Sequence, residues 1–195
     1  MAAGESSPPW RNRLIGEFAD ADARAIALVA GLDYDQLNWR PAPDKWSIGL
    51  CLEHLCITND VYGAAIGGVL ASAPKAPVPE ITPGWFSRYF IRSYIAPGSA
   101  AKTSKAPPKI APVSSKVELA IVDRFLRGNQ DNRVLLDRAA SIDVNRVRFP
   151  NPFVPLLRFT AGTGFEILAK HESRHLLQAE RVKGLPEFPG PSAGH

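Results

Sequence analysis

Apolar residues recur along this chain at alternating spacings of four and three, and this pattern constrains the fold more than any other feature of the sequence. In the first such segment, the recurring residues are Leu14, Phe18, Ala21, Ala25, Leu28 and Leu32. This spacing places side chains on one face of an α-helix and is typical of the seam of a helical bundle. Because Gly31 and Asp33 are stop signals, the pattern predicts a helix over residues 10–31.

A second helix is predicted over residues 47–70, with Ser47 as its N-cap. The recurring residues on its face are Leu50, His54, Ile57, Val61 and Ala64. The preceding loop holds two prolines and two tryptophans, Trp39 and Trp46, and we expect it to be ordered.

Two further helices are predicted in the second half of the chain. Ser114 or Ser115 is expected to cap a third helix over residues 114–140. A fourth helix is expected over residues 160–183, with Gly184 as its stop signal. No strand pattern is found.

A proline-rich segment, residues 72–113, separates the second and third helices. It contains eight of the 18 prolines and cannot form a long helix, although the aromatic residues 85–95 favour a short one. A connection of this length can join two helices that run in the same direction. The sequence therefore predicts an all-α fold, a four-helix bundle with a long Pro-rich crossover between helices 2 and 3. We expect one domain over residues 1–195, with a frayed tail at 186–195.

Composition limits the cellular compartments and the kinds of partner that this chain is expected to have. The longest apolar stretch, residues 25–32, is too short to cross a bilayer, and the first 13 residues lack the apolar core of a signal peptide. Cys51 and Cys56 are badly placed to pair on one helix, which suits a reducing compartment. We therefore expect a cytoplasmic protein without a membrane partner.

The net charge of +4 is unevenly distributed, because residues 72–116 carry +6 and the remainder −2. A basic patch can bind nucleic acid. This patch coincides with the proline-rich segment, so a solvated loop is the preferred interpretation and a nucleic-acid partner is not expected.

Histidine is scarce, with four residues in the chain, and three of them fall on predicted helix seams. His171 and His175 lie one turn apart on the fourth helix, the spacing by which H-x-x-x-H helices hold a divalent ion. His54 is a lone polar residue on the seam of the second helix. Burying three separate imidazoles is costly unless something coordinates them, although buried histidines satisfied by hydrogen bonds are the alternative. The fourth, His195, is expected to be disordered.

Other candidate residues carry weaker signals. Gln178 lies one turn beyond His175, where it could hold an imidazole N–H or a bound water, or simply connect two helices. Cys51 could reach the metal as a thiolate or remain an inert core residue, and Trp46 could form the wall of a pocket or fill the core. Glu172 and Arg174 fall off the histidine stripe and are expected on a solvated face.

The sequence resembles the DinB-like superfamily, which includes the YfiT-type proteins, over nearly its whole length. The residues that carry the resemblance are WRPAPDKWSI (39–48), EHL (53–55), KAPPK (105–109) with Pro112, and HESRHLLQ (171–178). The resemblance implies a four-helix bundle with a long crossover and a metal site at His54, His171 and His175. It implies zinc, nickel or a related divalent ion as the cofactor, and bundles of this family often pair as homodimers.

Two functions remain open at this point. The first is a metalloenzyme acting on a small-molecule substrate; the resemblance favours transfer of a low-molecular-weight thiol, with hydrolysis as the close alternative. The second is a stress-associated binding protein with a structural metal or none, whose basic segment contacts an acidic partner. The residues of that basic segment are Lys102, Lys105, Lys109 and Lys116.

Overall fold

Helices make up most of the computed structural model, which describes residues 7–98, 106–154 and 156–190. In chain order the elements are α1 (Pro9–Val29), α2 (Tyr34–Asn38), α3 (Ile48–Leu70), α4 (Trp85–Phe90), α5 (Ile121–Ala139), β1 (Arg148–Pro150), β2 (Arg158–Thr160) and α6 (Ala161–Lys183). The four long helices pack together: α3 lies against both α5 and α6, and α1 lies against the same two. No helix among the described residues has both the length and the apolar character needed to cross a membrane.

The ends of the long helices follow local sequence signals. The Ser47 side chain accepts a hydrogen bond from the backbone N–H of Leu50, as expected of the N-cap of α3. Thr160 caps α6 in the same way through the N–H of Thr163. Gly31 adopts a φ of +73° just beyond α1, a backbone conformation that favours glycine and ends the helix.

The third long helix begins at Ile121, so the prediction of a start near Ser114 was wrong. Ser114 is engaged elsewhere, because its hydroxyl donates to the Glu53 carboxylate over 2.6 Å. Val117 is bonded to the Asn38 side chain, which accepts from its N–H over 2.8 Å and donates to its carbonyl over 2.9 Å. These contacts hold residues 114–120 against the start of α3 and the end of α2 in place of a helical turn.

The prediction of a frayed tail at 186–195 is wrong for residues 186–190, the part of the tail that the structure describes. Phe188 packs edge-on against Trp39 with ring centroids 5.6 Å apart, and Gln36 donates to the carbonyl of Pro189 over 2.9 Å. Both partners lie at or beside α2, a helix that sequence reasoning missed although Asp33 and Gln36 form its capping box. Residues 191–195, including His195, lie outside the described residues.

Short elements connect the long helices. As predicted, the aromatic part of the proline-rich segment is helical: α4 continues into a π-helical turn, Ile91–Ile95. A small antiparallel hairpin that the sequence did not reveal precedes α6, with Phe149 opposite Phe159 and both rings buried. Three-residue strands are too short to show a reliable alternating pattern.

The buried face of α3 differs from the predicted one. His54 and Leu50 are buried, but Ala64 is exposed and Ile57 and Val61 are only partly covered. The buried stripe is instead formed by Leu52, Leu55, Asn59, Tyr62 and Ile66. Because α3 is covered by two long helices, it buries a wider arc than a single seam predicts.

Candidate metal centre

Three histidines from two helices meet in the interior of the fold. His54 comes from α3, whereas His171 and His175 come from successive turns of α6. Their ring centroids are 4.5–4.8 Å apart, and each residue is at most 9% exposed. One ligand atom from each lies within 4.8 Å of the other two, so the group can hold a metal ion.

Hydrogen bonds orient two of the three rings. The Nδ1–H of His54 donates to the carbonyl oxygen of Ile110 over 2.6 Å, and the Nδ1–H of His175 donates to Gln178 Oε1 over 2.9 Å. A proton held on Nδ1 leaves the Nε2 lone pair available as a ligand. The Ile110 carbonyl was not foreseen, because a backbone group carries no residue-type signal.

The spacing of two of the ring nitrogens fits a divalent ion. His54 Nε2 and His171 Nε2 are 3.1 Å apart. Two nitrogens bound tetrahedrally to one zinc ion at the usual Zn–N distance lie about 3.3 Å apart. This pair is therefore spaced as a metal site requires, and the three imidazoles form an all-nitrogen donor set that suits zinc, nickel and related ions.

Burial also favours the neutral form of each ring. Desolvation lowers the pKa of His54, lowers that of His171 well below its ordinary value, and lowers that of His175 to about 3. Neighbouring rings act in the same direction on His171 and His175. Neutral imidazole is the form that coordinates a metal.

Two further side chains border the histidine group, one of them predicted there and one not. Trp46 is partly buried, and its ring lies 4.8 Å from that of His54 and 5.7 Å from that of His175, so it forms a wall of the cluster. Arg174 was expected on a solvated face. It is only partly exposed, donates to the carbonyl of Ala96 over 3.3 Å and lowers the pKa values of His171 and His175 by its charge.

Cys51 lies in the apolar core and does not belong to the histidine group. It is fully buried, and desolvation raises the pKa of its thiol to about 12. Cys56 is similarly buried, with its pKa raised to about 12. Neither residue forms a disulfide, so both are held as neutral thiols.

Both thiols should therefore be inert in the folded protein. We expect a chromogenic disulfide reagent to label neither Cys51 nor Cys56 under native conditions at pH 8, and to label both once urea unfolds the chain. The Cys51→Ser variant serves to assign any partial labelling. Rapid native labelling of Cys51 would contradict this placement and restore it as a candidate thiolate ligand.

Glu172 is the largest departure from sequence reasoning. It is fully buried, where it accepts hydrogen bonds from Asn59 over 2.9 Å and from Asn129 over 3.2 Å. Desolvation raises its pKa to about 8, opposed by these two hydrogen bonds. Asn129 also donates to Asp22 over 2.8 Å, and Asp22 accepts from Arg133 over 2.7 Å. A polar network of Asp22, Asn59, Asn129, Arg133 and Glu172 thus connects all four long helices.

A sequence signal for this network does exist. Along α5, the residues Phe125, Asn129, Asn132, Leu136 and Ala139 recur at spacings of four and three and are all buried. Along α6, Glu172 belongs to a second stripe formed with Phe165, Leu168, Leu176 and Ala179. Polar residues at such positions indicate buried partners. The prediction considered only the α6 stripe that carries His171 and His175, and so missed Glu172.

The fold and the site together define a mostly helical protein with a buried cluster of three histidines. A sequence profile of the DinB superfamily matches residues 17–179, a range that includes all three. The chain belongs to the DinB superfamily. No curated protein and no solved structure matches it.

Proposed function

We propose that this protein is a metalloprotein that holds one divalent ion, zinc or nickel, through His54, His171 and His175. The observation that carries the proposal is the convergence of three buried imidazoles whose ligand atoms lie within 4.8 Å of one another. On this proposal the four long helices are the four-helix bundle of the DinB superfamily within a single domain, and residues 72–113 are its crossover. The crossover then contributes directly to the site, through the Ile110 carbonyl.

The activity we propose is transfer of a low-molecular-weight thiol to an electrophilic small molecule. A bound divalent ion acidifies a thiol or a water and so supplies a nucleophile at neutral pH. The chain's own part is to orient the rings of His54 and His175 by the bonds from their Nδ1–H groups. Trp46 excludes water from one side of the rings, and Arg174 places a positive charge near them.

Metal content and thiol dependence test this function together. The protein purified without added metal should contain about one equivalent of a divalent ion. It should accelerate the reaction of a small thiol such as cysteine with a chromogenic electrophile. Acceleration of ester cleavage without any thiol would instead favour the hydrolase alternative. A metal-free preparation that takes up neither zinc nor nickel would contradict the metal site itself.

Gln178 is predicted to support the metal without binding it. Replacing it with alanine removes the acceptor for the His175 Nδ1–H, so we expect divalent-ion affinity to fall about 10–100-fold. Competition with a chromophoric chelator measures this change. Gln130→Ala is the matched control, because Gln130 is an exposed glutamine on α5. Equal affinities in the two variants would reject the supporting role.

The binding-protein alternative depends on the basic segment. Lys109 donates to the carbonyl of Pro152 over 3.2 Å, and Lys116 lies 3.7 Å from Asp35 and above the Tyr34 ring. These two lysines are thus partly occupied by their own chain, while Lys102 and Lys105 lie outside the described residues. No described contact favours this alternative. Homodimer formation stays a prediction, to be measured by light scattering.

A further inference from the structure

The stretch that leads from the proline-rich segment towards α5 crosses α3 beside the histidine cluster. We call residues 106–117 the strap; it contains neither helix nor strand. Three successive contacts join it to α3: Ile110 with His54, Ser114 with Glu53, and Val117 with Gly49. An irregular segment is thus held against a long helix at three points.

A buried carboxylate anchors the middle of the strap. Glu53 is 4% exposed and accepts two hydrogen bonds from Ser114, one from its hydroxyl over 2.6 Å and one from its backbone N–H over 3.3 Å. Among the described residues, no other donates a hydrogen bond to this carboxylate. Burying a carboxylate is unfavourable unless such charge-assisted bonds compensate it. Glu53 therefore favours the docked position of Ser114.

The last residue of the strap is held by shape as well as by hydrogen bonds. The Asn38 amide bonds to both the N–H and the carbonyl of Val117. A Cβ built at Gly49 would lie 2.3 Å from the Val117 side chain, which is closer than packed side chains approach. Glycine is less favourable than alanine in a helix, and the close approach of the strap explains its presence in the first turn of α3.

The other part of the strap carries the carbonyl that orients His54. Ile110 is 5% exposed, and its carbonyl accepts the Nδ1–H of His54 over 2.6 Å. Glu53 and His54 are consecutive residues of α3, so the anchor and the orienting carbonyl act at the same place on one helix. Without its anchor the strap would no longer hold this carbonyl in place, and His54 would lose the partner that keeps its proton on Nδ1.

We propose that docking of the strap on α3 is coupled to metal binding, with Ser114 and Glu53 as positioning residues for His54. The docked strap keeps the His54 proton on Nδ1 and so leaves Nε2 free as a ligand. Because such coupling is reciprocal, a bound ion favours the docked strap by the same factor. The inference rests on the metal site proposed above and assigns control of its affinity to the crossover.

Replacing Ser114 with alanine tests the coupling. The change removes the shorter of the two hydrogen bonds to Glu53, so zinc affinity should fall about tenfold, the lower end of the range for partners of metal ligands. Competition with a chromophoric chelator measures it. Ser114→Thr retains the hydroxyl and should restore the affinity. Ser115→Ala is the matched control, since Ser115 is exposed and makes no side-chain hydrogen bond to any described residue. Equal affinities in Ser114→Ala and Ser115→Ala would overturn the proposal.

The ring nitrogens of His54 distinguish this positioning role from a general loss of stability. In the metal-free chain, nitrogen-15 magnetic resonance should place the proton of neutral His54 on Nδ1. Ser114→Ala should give a mixture of the two tautomers, whereas Ser115→Ala should not. A chain that binds no zinc would refute the proposed metal site. Zinc binding together with an unchanged His54 tautomer in folded Ser114→Ala would refute the coupling alone.

Hydrogen exchange of the unsubstituted chain provides the reciprocal test and requires no variant to fold. Zinc should slow exchange of the backbone N–H groups of Ser114 and Val117 about tenfold, because their acceptors, Glu53 and Asn38, hold the docked strap. Exchange at both positions that is indifferent to zinc, in a chain that binds zinc, would show that the strap and the metal site are independent.

Discussion

Replacing His171 with alanine should reduce divalent-ion affinity by about two to three orders of magnitude, because it removes one of three ligands. The basis of this magnitude is that structural zinc sites with four ligands bind with about 10–16 kcal/mol, or roughly 2.5–4 kcal/mol for each ligand. His54→Ala and His175→Ala should behave in the same way. Elemental analysis gives the occupancy, and competition with a chromophoric chelator gives the affinity.

The chain provides its own control for this experiment. The fourth histidine of the sequence, His195, is not one of the three proposed ligands, so His195→Ala should leave the metal content unchanged. Circular dichroism should show that each variant retains its helices. Full metal occupancy in any folded variant of the three buried histidines would contradict the assignment of that residue as a ligand.

Replacing Asn129 with leucine should lower the free energy of unfolding by about 3–5 kcal/mol. Asn129 is completely buried, accepts from Asn59 over 3.0 Å, and donates to Asp22 over 2.8 Å and to Glu172. Leucine approximately preserves the volume but removes all three hydrogen bonds, and it leaves Glu172 with a single donor. Urea denaturation followed by circular dichroism measures the change.

The exposed residue Arg127 on the same helix is the control for this substitution. Arg127→Ala should change the free energy of unfolding by no more than about 0.5 kcal/mol. A loss below about 1 kcal/mol in Asn129→Leu would mean that the polar network contributes little to stability. In that case Glu172 would be satisfied by rearrangement of its surroundings.

The candidate site was predictable to the extent that it depends on helix periodicity. His171 and His175 are one turn apart on one helix, and a spacing of four residues places them together in any α-helix. The contact of Gln178 with His175 follows from the same local geometry. The Ile110 carbonyl could not be predicted, because its position depends on the path of a long, irregular connection.

Glu172 and Ser114 show where local reasoning failed. Periodicity identifies one stripe on a helix, but α6 is buried on two, since it packs against both α1 and α3. Ser114 has the chemistry of an N-cap, yet its hydroxyl bonds to Glu53, a residue distant in the chain. In both cases a tertiary contact outweighed a local preference.

The sequence alone determined the approximate extent of α1, α3 and α6, the end signals Gly31, Ser47 and Gly184, and the two-histidine turn of α6, because each depends on residues a few positions apart. It also marked His54 as an unusual polar residue on an apolar face. Only the tertiary structure decided that His54 meets His171, a residue 117 positions away, and which backbone carbonyl orients its ring. The relative placement of α3 and α6 depends on the packing of the whole interior, including the buried Glu172 network, and no local pattern encodes it.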